Sequence, residues 1–198
     1  MSVVIGYKKG DVIYMATDTR TFVGDVKKND LCECNFKIQK MSNGMLVGIS
    51  CEKKERQVLF GNAQEIFTLD KNQKLTRKHI ATKIVPKIMQ LLEQEDLLIK
   101  KEDDLPWVKA TVLLAYQDVM YEICQDFSIL RYEDYQADGN IVAYYAQYVV
   151  SNIKPTDDVN EKLIEALDVV AQNSQLVGRP YLLIDTKDQK YTLVEGEK

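Results

Sequence analysis

Residues 2–20 read S-V-V-I-G-Y-K-K-G-D-V-I-Y-M-A-T-D-T-R and set the start of the fold. Two short runs rich in valine, isoleucine and tyrosine, Val3 to Tyr7 and Val12 to Thr17, flank a glycine-centred turn, which predicts two paired strands. Ser2 stands at the head of the first strand. A free α-amine on Ser2 would have a pKa of about 7.7 to 8.0 and could take the proton of the hydroxyl on the same residue. The stretch therefore predicts a one-residue nucleophile, provided that Met1 is removed.

Length and composition predict a single domain over residues 1–198. The chain is 45% apolar and 28% charged, which is ordinary for a globular protein with a sizeable core. Its 26 basic and 30 acidic residues give a net charge of −4, so nucleic acid is not an expected partner. No signal peptide is recognisable, and no run of about 18 apolar residues could span a membrane. We therefore expect a cytoplasmic protein without a membrane partner.

The four cysteines, Cys32, Cys34, Cys51 and Cys124, show no framework spacing, and we expect reduced thiols. The segment from Cys32 to Cys34 contains two thiols and a carboxylate, which are metal ligands. However, His79 is the single histidine and no second close cysteine pair completes a site. The sequence therefore predicts neither a metal nor an organic cofactor.

The apolar period changes in blocks along the rest of the chain. Further strands are predicted at Phe36 to Met41, Met45 to Ser50, Ala110 to Tyr116, Met120 to Cys124, Tyr181 to Asp185 and Tyr191 to Val194, the first two joined by an Asn43-Gly44 turn. Apolar residues at helical spacing predict four helices, at Glu52 to about Leu69, from a Thr76 cap to Leu92, at Ile141 to Val149 and at Leu163 to Val170. Pro86 should bend the second of these helices or mark a later start for it.

The order of these elements is strands, two helices, strands, two helices, strands. It lacks the strand-helix-strand alternation of a parallel doubly wound sheet. Each helix pair needs a sheet to cover, and each sheet needs a second layer for its other face. We therefore predict an α+β fold, a four-layer αββα sandwich of two antiparallel sheets flanked by helix pairs.

Four segments resemble the β-type subunits of the proteasome and their bacterial relatives, within the N-terminal nucleophile hydrolases. Ser2 to Tyr7 is similar to the opening strand of that family, where a threonine usually leads. Asp11 to Arg20 resembles its second strand with an acidic-x-Arg ending, and Lys37 to Met41 resembles the strand with the active-site lysine. Leu46 to Glu52 resembles the small-residue strand end before the first helix. The resemblance implies the fold of these hydrolases.

The resemblance also implies catalytic roles. Ser2 would be the nucleophile and its α-amine the base, while Lys37 would lower the pKa of that amine. Asp18 would neutralise Lys37, and the N–H of Gly48 would bind the oxyanion. Judged from the residues alone, Asp18 and Lys37 could be an ordinary cross-strand ion pair, and Gly48 could allow close packing at the strand end.

A peptidase is the leading hypothesis, acting on peptides or proteins through an acyl-enzyme on Ser2 in a homo-oligomer of stacked rings or smaller. The residues expected to bind substrate are Thr21, Leu46 and Ser50, with Leu46 in an apolar pocket. Tyr144, Tyr145 and Tyr148 either pack in the core or form a contact face between copies.

The second half of the chain departs from the family. The family's Gly-Ser-Gly turn corresponds to the turn with Asp138, and its later Asp and Ser correspond to Asn173 and Ser174. An acid beside the α-amine would raise the pKa of that amine. Arg20, Asp138, Asn173 and Ser174 are therefore expected around the centre. The alternatives are a catalytically inactive subunit or scaffold, and an amidohydrolase of the same fold that acts on small amides.

Overall fold

The computed structural model describes residues 3–23, 26–29, 32–33, 36–70, 73–100, 105–139 and 143–196. Ser2, the expected nucleophile, lies outside the described residues, as do Cys34 and Ile141. Two five-stranded sheets form the centre, and every strand pair in them is antiparallel.

The first sheet has the order β10-β1-β2-β11-β12. Its strands are β1 (Val4–Lys9), β2 (Val12–Asp18), β10 (Tyr135–Asp138), β11 (Tyr181–Asp185) and β12 (Thr192–Val194). The second sheet has the order β5-β6-β7-β8-β9. Its strands are β5 (Ile38–Lys40), β6 (Leu46–Cys51), β7 (Ala110–Tyr116), β8 (Val119–Ile123) and β9 (Ile129–Tyr132). A separate hairpin contains β3 (Arg20–Val23) and β4 (Val26–Asn29).

The helices lie on the two outer faces. Those on the second sheet are α1 (Lys53–Gly61), α2 (Ala63–Ile66), α3 (Arg77–His79) and α4 (Val85–Gln94). Those on the first sheet are α5 (Ala143–Ser151) and α6 (Val159–Asn173). A third apolar cluster, which includes Val4, Met15 and Leu113, fills the space between the sheets. These layers confirm the αββα sandwich, because each sheet buries one face against helices and the other against its partner sheet.

Both edges of the sandwich join the two sheets. Strands β9 and β10 belong to different sheets and follow each other in the chain across Glu133 and Asp134. At the opposite edge the Lys40 N–H donates to the Tyr191 hydroxyl at 2.9 Å, and Lys40 Nζ donates to the Gln189 carbonyl at 3.3 Å. The sheets are therefore linked by a short chain connection on one side, and on the other by these hydrogen bonds and an edge-to-face contact between Phe36 and Tyr191.

The eight predicted strands are present, but β3, β4, β9 and β10 were not predicted. β9 and β10 are mostly half-buried or exposed and contain Arg131 and Gln136 among their residues, so they lack a continuous apolar alternation. The first predicted helix is also divided in two, since Asn62 leaves helical geometry with a ψ of 13°.

The second predicted helix begins at the Thr76 cap, whose hydroxyl accepts the His79 N–H at 3.2 Å. It continues to Gln94, but a π-helical turn occupies Ile80–Ile84. Pro86 then falls in the first turn of α4, where a missing N–H costs least. The proline is therefore accommodated by the π-turn that precedes it.

The face of α5 that packs on the sheet is not the one with the tyrosines. Ala143, Ala146 and Val150 are buried, whereas Tyr144 and Tyr148 are 75% and 74% exposed. The core interpretation of the tyrosines is therefore wrong, because small residues allow α5 to approach the sheet closely.

Cys51 and Cys124 are free thiols, but Cys32 is disulfide-bonded, so the expectation of reduced cysteines is wrong at that position. Among the helices formed by the described residues, none combines the length and apolar character that crossing a membrane requires.

Candidate active site

A buried ion pair joins the two sheets at the end where β2 finishes. Lys37 Nζ lies 2.7 Å from Asp18 Oδ2, and the two side chains are 3% and 0% exposed. The Arg20 N–H donates to the same oxygen at 3.1 Å. Lys37 is fixed in turn because its carbonyl accepts the Ile49 N–H at 2.8 Å. The structure thus brings together two of the expected catalytic residues, from β2 and from the residue before β5.

The second carboxylate oxygen, Asp18 Oδ1, is buried and has no hydrogen-bond partner among the described residues. Leaving such a group unsatisfied costs about 1–3 kcal/mol, and more for charged groups, so buried oxygens of this kind normally face a donor. Burial lowers the pKa of the Lys37 ammonium, the neighbouring Asp18 opposes this shift, and the Arg56 guanidinium adds to it. Asp18 therefore has an acceptor position left for a donor at this end of the sheets.

The first turn of α1 lies next to the Asp18–Lys37 pair, since the Arg56 guanidinium acts on Lys37. Glu55 and Arg56 are buried, and within the described ranges Glu55 Oε2 also has no hydrogen-bond partner. Burial raises the pKa of the Cys51 thiol to about 12. Cys51 is therefore a protonated thiol at neutral pH and is not a nucleophile.

Gly48 lies in the middle of β6, opposite Ile38 and Leu113, and not at its end. Neighbouring N–H groups of a strand point to opposite sides, and the Ile49 N–H points to the β5 side, so that of Gly48 points towards β7. A Cβ on Gly48 would lie 2.5 Å from Val4 Cγ1 and 2.9 Å from Met15 Cε of the opposite sheet. The geometry gives Gly48 a packing role between the sheets, and we no longer expect its N–H to bind an oxyanion.

The three residues expected to bind substrate do not lie together. Leu46 is fully buried in the cluster between the sheets, at the opposite end of β6 from Cys51, so it cannot line a substrate pocket. Ser50 borders a cavity of about 220 Å³ at the site end, together with Thr111 and Gly139. Thr21 is half-buried in β3, opposite Lys28. Of the three, Ser50 alone borders this cavity.

Arg20 fixes the loop after α6. Its Nη1 donates to the carbonyls of Gln175 and Val177 at 3.1 and 2.8 Å. The guanidinium packs on Gly178 so closely that a Cβ added there would clash with Arg20 Nη2. Arg20 is therefore a structural support of this loop.

Asn173 and Ser174 form local contacts. Asn173 Nδ2 donates to the Val169 carbonyl of the same helix at 2.8 Å, and the Ser174 hydroxyl accepts the Leu176 N–H at 3.1 Å. Neither contact reaches the Asp18–Lys37 pair.

Asp138 stands at the site end, as the last residue of β10 and opposite Val4. Burial raises the pKa of Asp138 to about 7 and the Glu122 carboxylate adds to the shift, while hydrogen bonding by the Thr111 hydroxyl and the Gly139 N–H opposes it. Asp138 also lines a cavity of about 540 Å³ between β10 and α5, and Gly139 lines both this cavity and the one at Ser50.

Solved structures with the same architecture cover nearly the whole chain. BPH from Thiobacillus denitrificans is 18% identical, with 98% of this chain and 100% of that chain covered, at a TM-score of 0.74. The same protein in complex with epoxomicin is also 18% identical, with 98% of this chain and 100% of that chain covered, at a TM-score of 0.73. Anbu, an ancestral β-subunit, is 14% identical in its helical assembly from Pseudomonas aeruginosa, with 99% of this chain and 88% of that chain covered, at a TM-score of 0.70. HslV from Trypanosoma brucei is 9% identical, with 92% of this chain and 98% of that chain covered, at a TM-score of 0.58. The chain has the proteasome β-type fold.

No family model and no curated protein matches the sequence. At these identities the likeness shows the fold of an N-terminal nucleophile hydrolase and not an activity. Within the proteasome β-type fold, the first described residue is Val3, whose carbonyl accepts the Thr17 hydroxyl at 2.7 Å.

The sequence prediction missed Thr111 and Glu122. Thr111 is opposite Ser50 in the β6–β7 ladder and contacts Asp138. Glu122 is 5% exposed and accepts hydrogen bonds from Tyr132 and Gln136 at 2.7 and 2.8 Å. A lone acid within the apolar run Val119–Ile123 was the available signal, since a buried charge requires partners.

Proposed function

We propose that this chain is an N-terminal nucleophile peptidase, a single cytoplasmic domain that hydrolyses peptide bonds through an acyl-enzyme on Ser2. The proposal requires that whatever precedes Ser2 is removed. The observation that supports it best is the buried Lys37–Asp18 pair with an unpartnered Asp18 Oδ1, at the end of the sheets where β1 begins.

In this mechanism the Ser2 oxygen attacks the peptide carbonyl carbon while its proton moves to the α-amine of the same residue. The ammonium then protonates the departing amine as the C–N bond breaks. Water hydrolyses the ester and regenerates the hydroxyl. Lys37 favours the neutral α-amine by its positive charge, and Asp18 compensates that charge.

Acylation of the hydroxyl tests this proposal. Protein whose intact mass shows Ser2 at the N-terminus should gain one adduct from a peptidyl β-lactone, whose ring carbonyl is attacked by a hydroxyl while the ring C–O bond breaks. Ser2→Ala should gain none, and Lys37→Met should react at least about 100-fold more slowly, as expected from the size of acid-base and electrostatic contributions. Equal labelling of wild type and Ser2→Ala would contradict the proposal. Epoxomicin, which is bound to BPH in one of the similar structures, is a second ligand to test.

A catalytically inactive subunit is the second candidate. It is favoured by Asn173, which bonds to its own helix, and by the packing role of Gly48. Unreactive protein with Ser2 at its N-terminus, across the pH range 5.5–9, would support this candidate.

We also propose a homo-oligomer in which α5 contacts another copy. Anbu forms a helical assembly, and the α5 surface here has an exposed aromatic face, formed by Tyr144, Tyr145 and Tyr148. Exposed aromatic side chains of this kind are enriched in protein interfaces.

Removing the tyrosines should dissociate the assembly. Tyr144→Ser with Tyr148→Ser should move the mass measured by light scattering towards one 22.7 kDa chain, because the substitutions remove contact area and leave the buried face of α5 intact. Leu130→Ser changes a 44% exposed apolar residue on β9 and serves as a control that should keep the mass of wild type. A double variant with the wild-type mass would contradict this assignment.

A further inference from the structure

We propose that Asp138 is a positioning residue that sets the pH range of the site: it is protonated in the working form, and its ionisation lowers the activity. This inference rests on the proposed function, since it concerns the α-amine that would act as base. The sequence resemblance led us to expect that an acid here would impair the centre, and the structure suggests a condition under which it does not.

The position of Asp138 connects both sheets to the end of β1. Asp138 is opposite Val4 in the β1–β10 ladder, and residues opposite each other in such a ladder are about 4.5–5.5 Å apart at Cα. Its carboxylate also contacts Thr111 of the other sheet. Val4 is two residues after Ser2, so Asp138 lies close to the start of the chain.

Among the described residues, none of those that act on Asp138 or share its cavity is a cation that could compensate a negative charge. Glu122 of β8 faces it with a like charge, and the Tyr132 hydroxyl of β9 donates to Glu122. Tyr144 of α5 lines the same cavity, and β1 contributes the apolar Val4.

The neighbouring cavity at Ser50 is lined by Lys109, Glu52 and Cys51. None of the ion pairs formed by the described residues includes Asp138. Glu122 is buried and Asp138 is half-buried, and two adjacent acids without a paired cation favour a proton on one of them. Glu122 Oε2 already accepts hydrogen bonds from Tyr132 and Gln136, so we assign the proton to Asp138. The raised pKa of Asp138, about 7, agrees with this arrangement.

The charge of Asp138 acts on the α-amine. Below pH 7 the carboxyl is neutral and leaves the amine under the influence of Lys37. Above pH 7 the Asp138 carboxylate favours the ammonium form and raises the pKa of the α-amine, because an opposite charge stabilises the charged form. An ammonium cannot take the proton of the Ser2 hydroxyl, so the fraction of reactive enzyme falls.

The experiment compares wild type with Asp138→Asn, which keeps the size and removes the charge. The rate of β-lactone acylation is measured from pH 5.5 to 9 on protein that begins at Ser2. At pH 6 the two rates should agree within about twofold, and at pH 8 Asp138→Asn should be at least about fivefold faster, as a shift of one to two units implies. A ratio that is constant across the pH range would indicate a purely structural role and would overturn the inference.

A second readout does not depend on activity. The carboxyl ¹³C resonance that disappears in Asp138→Asn should titrate with a midpoint near 7 in wild type. A midpoint below 5 would overturn the inference even if the enzyme is active. Absence of acylation in both proteins at every pH, with a midpoint near 7, would instead contradict the proposed function.

Discussion

Replacing Lys37 with methionine should destabilise the protein by about 3–5 kcal/mol, because removal of one partner leaves a buried charge uncompensated. Asp18 is fully buried, and of its described donors Oδ2 would retain the Arg20 N–H alone. Its Oδ1 has no partner in the described part of the chain, so no contact seen there would compensate for the loss of Lys37 Nζ. Urea denaturation followed by far-UV circular dichroism measures the effect.

The double variant Lys37→Met with Asp18→Asn separates the buried charge from lost packing. The amide introduced by Asp18→Asn keeps an acceptor oxygen for the Arg20 N–H but has no charge, so the double variant should recover part of the loss, with a coupling of about 0.5–3 kcal/mol. Arg131→Met is the matched control, since it breaks the exposed pair with Glu133 and should leave the midpoint unchanged. Strictly additive effects of the two buried substitutions would contradict the ion pair as described.

Replacing Gly48 with alanine should destabilise the protein by about 1–3 kcal/mol, the usual cost of inserting a carbon into a filled core. The new Cβ would lie 2.5 Å from Val4 Cγ1, which belongs to a central strand of the opposite sheet. The sheets would have to separate locally, or Val4 and Met15 would have to change rotamer. The thermal midpoint and the urea midpoint should both fall.

Gly61→Ala provides the control for this substitution. Gly61 is the last residue of α1 and an added Cβ there meets nothing within 4 Å. Alanine is about 1 kcal/mol better than glycine in a helix, so this variant should be as stable as wild type or more stable. Combining Gly48→Ala with Val4→Ala should remove the closest clash and restore part of the stability. Gly48→Ala with wild-type stability would show that the sheets are not in close contact at this point.

The sequence was sufficient to predict the four αββα layers and the pairing of Lys37 with Asp18. Strands such as β2 and β7 are rich in apolar residues, and their period distinguishes them from the helices. The pairing of Lys37 with Asp18 could be predicted because both lie in fairly specific segments, whereas their catalytic roles stay a prediction. Strands β9 and β10 were missed because edge strands with solvent on one side carry polar residues at both alternating positions.

The positions that the sequence did not settle depend on contacts between distant elements. On α5, tyrosine and alanine both have helical spacing, and the short distance between α5 and β10 decides which face is buried. Gly48 and Leu46 were assigned as functional from their place in a motif, but their roles follow from what the opposite sheet places against them. The protonation of Asp138 likewise depends on Glu122, which belongs to another strand of the other sheet.

The two edge connections of the sandwich have a mechanical consequence. At one edge the chain itself passes directly from β9 to β10, while at the other edge side-chain contacts hold the sheets, such as the hydrogen bond between Lys40 and Tyr191 and the edge-to-face contact of Tyr191 with Phe36. In a partial opening, the two sheets should therefore rotate apart about a hinge at the β9–β10 connection, and the separation should begin at β5 and β12. Asp138 lies at the end of β10, beside this hinge, and Lys37 lies just before β5, at the opposite edge. The first opening motion would therefore separate Lys37 from Asp18 and leave the surroundings of Asp138 intact.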